Sequence, residues 1–175
     1  MAHGRQPADP LAVNHPLDHW ATVRNRFVAD HRELRSKMGT LRALALNVIR
    51  GDDELAPALR LKGEEFDARL LEHMKWEEEH LPGLLSRTEN GLERIIDLRE
   101  EHARQRERLA FSLEQLRDPE AASLPIARDC LALVRWVETD MAAEERDVVA
   151  ALGQIVRDQD MAAASGDPGG QGSRD

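Results

Sequence analysis

The apolar positions of this chain recur in steps of three and four, and they form separate stripes along its length. The first stripe runs Phe27, Leu34, Met38, Leu41, Ala45, Val48, and the second holds Phe66, Leu70, Leu81 and Leu84. The third carries Ile95, Leu98, Leu109, Leu113 and Leu116, and the fourth Ile126, Cys130, Leu133, Val137, Val148, Ala151 and Ile155. This spacing puts each stripe on one face of an α-helix. Breakers separate the stripes. Asn14 as N-cap and Pro16 in the first turn predict a helix start near 14–16, and Gly51 stops that helix. A second helix is predicted from about Pro57 to Arg87, with Pro82 kinking it or ending it early. Asn90-Gly91 opens a third, which runs to Arg117 before Asp118-Pro119, and a fourth spans Leu124 to Gln159. Long helices with short connections predict an all-α, up-down-up-down four-helix bundle over residues 14–160. Residues 1–13 show no periodicity and read as a flexible arm; the Gly-rich 161–175 read as a disordered tail.

Each stripe is interrupted in its middle by ionisable residues. The first steps through 27, 31, 34 and 38, which places His31 on the core face. The second steps through 66, 70, 73, 77 and 81, placing His73 and Glu77 there. The third places His102 inward, and the fourth Asp140 and Glu144. Counting from the turns tests their heights. About a turn centred near 54, His31 stands 23 residues before and Glu77 23 after. About a centre near 89, Glu77 stands 12 before and His102 13 after; about 121, His102 stands 19 before and Asp140 19 after. In an antiparallel bundle equal counts mean equal height, so all of these groups are expected in one layer. An unpartnered buried charge costs several kcal/mol, against a total stability of about 5–15 kcal/mol for a domain. Imidazoles and carboxylates suit first-row transition metals. With carboxylates to offset the charge of two divalent ions and to bridge them, a dinuclear site is the economical reading. A metal-free network of protonated His and carboxylates, or a single zinc, are the alternatives.

Composition narrows the partners. Aromatics make up only 3% of the chain, there is no Tyr, and charged residues reach 33%, which favours helices over a sheet fold. The formal net charge of −9 argues against nucleic acid and against an anionic membrane surface. A lone cysteine, Cys130, excludes an intramolecular disulfide and a Cys-rich zinc site. No apolar leader and no run of about 18 apolar residues is present, so a cytoplasmic protein, monomeric or homodimeric, is the expectation.

The segments that carry these residues are Asp30-His31-Arg32-Glu33, His73-Met74-Lys75-Trp76-Glu77-Glu78 with Leu81-Pro82, Glu101-His102, and Asp140 to Glu145. In this order they resemble the hemerythrin superfamily, in its HHE cation-binding branch, over roughly residues 20–155. The resemblance implies a non-haem di-iron centre, with manganese or zinc possible. Glu77 and Glu144 would bridge, His31 and His102 would be terminal ligands, and His73 and Asp140 would complete the shells. It implies binding of dioxygen or a related small oxidant, peroxide or nitric oxide, for sensing, storage or detoxification. The family pattern has His-x-x-x-Glu on the second and fourth helices; here Asp140 stands where the fourth-helix His belongs. That extra carboxylate opens a second expectation, a carboxylate-rich di-iron oxidase, ferroxidase or catalase-like enzyme. A metal-free helical interaction module is the third.

Other residues read more plainly. Glu78, Glu79, Glu100, Glu101 and Glu145 are expected on solvated faces, with Glu101 or Glu145 able to orient a ligand His. Gln105 or Arg106, if inward, would hydrogen-bond a bound ligand or a carboxylate; otherwise they snorkel at the rim. His80 is expected near the surface or behind the ligands. His15 and His19 lie too far from His31 to share its metal, and Cys130 is expected as an inert core thiol.

Overall fold

The computed structural model describes residues 16–165, and among them there are helices and no strand. Helix α1 spans Pro16–Ile49, α2 Ala56–Leu85, α3 Gly91–Arg117 and α4 Ser123–Ser165, with a short 3₁₀ turn at Asp53–Leu55. They form the expected four-helix bundle. The Asn14 cap, the arm over 1–13 and the tail beyond 165 lie outside the described residues; α4 itself runs past Met161 to Ser165.

The turns follow from their sequences. Gly51 adopts φ 101°, the left-handed conformation that ends a helix at low cost to glycine. The Asp52 N–H then reaches back to the Asn47 carbonyl at 3.1 Å and satisfies one of the helix's last acceptors. Pro82 does not end α2, which continues to Leu85. Pro82 sits within one turn of the end, so little of the hydrogen-bond ladder is lost, and buried Leu81, Leu84 and Leu85 hold that turn down. Asp118 is extended, as the residue before a proline prefers. Arg60 of α2 ties up the exposed end of α3: its guanidinium donates to the carbonyls of Gln115, Leu116, Asp118 and Ala121 at 2.5–3.0 Å.

Two apolar clusters fill the bundle. One gathers Leu34, Met38, Leu41, Phe66, Leu70, Met74, Leu109, Leu133, Val137 and Met141. The other gathers Trp20, Val23, Phe27, Leu81, Leu84, Leu98, Val148 and Ile155. On every helix a gap separates the two, and the gap falls between 27 and 34, 74 and 81, 98 and 109, and 141 and 148. His31, Glu77, His102 and Glu144 occupy those gaps. The sides of the bundle are unequal. α1 packs closely on α2 and α4, and α2 on α3, whereas α3 and α4 are the loosest neighbouring pair. No helix among the described residues is long and apolar enough to cross a membrane.

Candidate metal centre

The gap in the core is a polar layer in which imidazole nitrogens and carboxylate oxygens converge. His31 and His73 face each other through their Nε2 atoms at 3.1 Å. Glu77 Oε1 lies 3.1 Å from His73 Nε2 and 3.5 Å from His31 Nε2. Glu144 Oε2 lies 3.5 Å from His31 Nε2. One ligand atom from each of His31, His73, Glu77 and Glu144 falls within 4.8 Å of all the others. His102 approaches from the opposite side: its Nε2 is 3.2 Å from Glu77 Oε2 and 3.6 Å from Glu144 Oε1. Each glutamate therefore turns one oxygen toward His31 and the other toward His102.

Burial is deep. The side chains of His31 and Glu77 have no exposed surface, and His102 has 1%. Both Glu77 oxygens, His73 Nδ1 and His102 Nε2 make no hydrogen bond. Burial by itself opposes charge on His31, but Glu144, Glu77 and Glu145 outweigh it and hold the imidazole up to about 9. His102 follows the same logic, with burial overcome by Glu144 and Glu77, and is held up to about 10. Burial alone would favour neutral Glu77; the imidazoles of His102, His31 and His73 instead hold it far below the usual carboxylate range. Of these, the Glu77 oxygens and His102 Nε2 face into the layer, and orphaned N and O donors so placed fit a first-row transition-metal cation.

The outer nitrogens show a repeated arrangement of which the sequence offered only Glu145, and not Glu78 or Asp30, as a residue able to orient a ligand histidine. His31 Nδ1 pairs with Glu145 Oε1 at 2.9 Å, and Arg35 holds that carboxylate at 2.8 Å. His102 Nδ1 pairs with Glu78 Oε1 at 3.0 Å, and Arg106 holds it at 2.6 Å. His73 Nδ1 lies 3.8 Å from Asp30 Oδ2, and Arg26 and Arg69 grip Asp30 at 2.9 and 2.6 Å. An imidazole whose outer nitrogen faces a fixed carboxylate presents its inner nitrogen in a set direction. Glu78 and Glu145 are thus not simply solvated. Each of Asp30, Glu78 and Glu145 adjoins in sequence a member of the layer, yet serves a histidine on the next helix. Sequence adjacency was the available signal; the helix each would reach was not readable.

The arrangement passes from α4 to α1, from α1 to α2 and from α2 to α3, and stops between α3 and α4. There Glu101, which adjoins His102, pairs with Arg104 at 2.5 Å instead. Asp140 makes no ion pair with any of the three histidines; the buried Gln105 amide donates to its carboxylate. Burial, followed by the charges of Glu144 and Glu101, pushes Asp140 up to about 7. Five of the six expected residues converge, and Asp140 stands apart at the wall of a cleft of about 230 Å³ between α3 and α4.

The remaining candidates fall outside the layer. The His80 ring donates from Nδ1 to the Trp76 carbonyl at 2.7 Å and stacks on Trp76. His19 is exposed and meets Trp20 edge-on, while His15 lies outside the described residues. Cys130 is buried, and burial pushes its thiol up to about 12, out of the reactive range.

Comparison with known proteins agrees with this geometry. The chain matches the family described as the hemerythrin HHE cation binding domain over residues 22–152. No curated protein matches it, and no solved structure does. The match covers the whole polar layer, all of α2 and α3 and most of α1 and α4, and the chain belongs to the hemerythrin HHE cation-binding domain family.

Proposed function

We propose that this protein holds a dinuclear non-haem iron centre and uses it to bind dioxygen or a related small oxidant, peroxide or nitric oxide, in sensing, storage or detoxification. One observation carries the reading: Glu77 and Glu144 each offer one oxygen to the His31 side and the other to the His102 side. A carboxylate placed so can span two ions, and a single ion leaves half of that arrangement unused. His31 and His73 would hold one ion and His102 the other. Bound iron supplies a change of oxidation state and a coordination position for the oxidant. The protein's own part is to fix the imidazoles through Glu145, Glu78 and Asp30, to exclude water with the apolar clusters above and below, and to hold protons at Asp140.

Elemental analysis with a near-ultraviolet and visible spectrum tests the reading. About two iron ions per chain are expected. No bound metal after anaerobic reconstitution with ferrous iron and with manganese would reduce the layer to a structural network. One ion per chain would reject the bridging role of the glutamates. A second reading, oxidase, ferroxidase or catalase-like turnover, is favoured by Asp140, a carboxyl raised to about 7 beside the His102 side. Steady consumption of dioxygen or peroxide supports turnover; a stoichiometric, reversible spectral change supports binding.

A further inference from the structure

We infer that the cleft between α3 and α4 is the entrance to the metal layer, and that it admits uncharged small oxidants in preference to anions. This rests on the metal reading above. Of the five converging residues, Glu144 has the most exposed side chain, at 11%, and the others have 2% or less. Glu144 lines the α3–α4 cleft. The other three sides of the bundle are closed by tighter packing and by the arginine-held carboxylates.

The lining sets the selectivity. Two guanidiniums face the cleft, and both are already engaged, Arg94 with Asp147 at 2.6 Å and Arg104 with Glu101 at 2.5 Å. Asp97 and Asp140 also line it: Asp97 acts on Arg104 only through longer-range attraction, and Asp140 accepts from the Gln105 amide rather than from a guanidinium. The rest of the wall is apolar, including Leu98 and Val148. An anion entering here sheds water against leucine and valine while meeting five carboxyl groups, Asp97, Glu101, Asp140, Glu144 and Asp147, against two guanidiniums. Dioxygen, hydrogen peroxide or nitric oxide carries no charge and escapes the second cost.

Stopped-flow absorption on the full chain, reconstituted anaerobically with ferrous iron, tests this with nitric oxide as the uncharged probe and azide as the anion. The azide association rate should rise with ionic strength and rise about threefold or more in Asp97→Asn, and further in Asp97→Lys. The nitric oxide rate should respond far less, so the azide-to-nitric oxide ratio climbs. Asp97 is exposed, so both variants are expected to fold. Narrowing the cleft with Ala143→Phe should slow both probes. An azide rate indifferent to salt and to Asp97, or probe rates unchanged by Ala143→Phe in a protein with intact helical content, overturns the entrance. If neither probe perturbs the spectrum of the iron-loaded wild type, the metal reading fails first and takes the entrance with it.

Discussion

Asp67 provides the sharpest quantitative test of how this bundle tolerates buried charge. Its side chain has no exposed surface, and neither carboxylate oxygen has a hydrogen-bond partner. It lies on α2 beside Phe66 and well away from the metal layer. Burial, reinforced by Glu64 and only partly offset by Arg117, pushes its pKa from 3.8 to about 7. A carboxyl with a raised folded pKa keeps its proton in the native state after the unfolded chain has released it. Stability therefore falls as pH rises from about 4 to about 7 and is level beyond. The gap of roughly three pH units corresponds to about 4 kcal/mol at 1.36 kcal/mol per unit.

Asp67→Asn keeps the shape and removes the titration. The metal-free wild type and the variant should have similar stability near pH 4. By pH 8 the variant should be more stable by about 4 kcal/mol, or on the order of 10 °C in melting temperature. Urea unfolding at a series of pH values measures this, and the difference between the two proteins cancels the titration of the histidines. A difference that stays flat between pH 4 and 8 would refute the argument. So would a wild type that is the more stable at pH 8, because that requires a partner for the ionised carboxylate.

Other consequences concern the layer and the turns. Glu145→Gln and Glu78→Gln each weaken the partner that fixes an imidazole, and should lower metal affinity about 10- to 100-fold in chelator competition; unchanged affinity would remove the positioning role. Because His31 and His102 are held up to about 9 and 10, metal addition at pH 7 should release about two protons to an indicator dye. By the same shifts, the stabilisation these imidazoliums give the metal-free chain is complete below about pH 6.5 and lost as pH rises through 9 and 10. Gly39→Ala, in an exposed helical position with open space around it, should stabilise by about 0.5–1 kcal/mol. Gly91→Ala should destabilise by about 1–3 kcal/mol, since its Cβ would fall 2.2 Å from the Leu85 carbonyl oxygen, which is backbone and cannot swing aside; thermal melts of the pair decide both signs.

The helices and the layer were legible because a period of three and four is a one-dimensional signal. The counts from each turn, equal or nearly so for His31, Glu77, His102 and Asp140 and one helical turn longer for Glu144, then carried that signal into the third dimension. What did not carry was rotation. A helical repeat says that Glu78 and Glu145 lie beside the inward face, but not which neighbour they touch; that depends on which helix lies clockwise and how closely it packs. Asp140 shows the same limit. Its height follows from counting, yet whether its short side chain reaches the centre depends on Gln105, one turn from His102, which draws it to the cleft wall. Asp67 was invisible for a different reason: a single carboxylate beside a stripe is indistinguishable from a surface residue until the neighbouring helix covers it.

Asp140→His tests whether one residue sets both the ligand set and the opening. Three sides of the bundle join a histidine on one helix to a carboxylate on its neighbour, and the fourth side has a carboxylate in both places. Glu101 and Asp140 repel, Gln105 and Arg104 take up their oxygens, and α3 and α4 are the loosest pair. An imidazole at this position gives Glu101 a histidine across the α3–α4 seam, in addition to Arg104, and gives the His102 side another nitrogen donor. On the dinuclear reading, affinity for the ion on the His102 side should rise by about 10- to 100-fold. The same contact would draw α3 toward α4, so azide and nitric oxide should both enter more slowly. The two effects must appear together if they share a cause. Tighter metal with unchanged entry rates would mean that the cleft is set by helix packing alone. Slower entry with unchanged affinity would mean that position 140 stays off the metal whatever residue it carries.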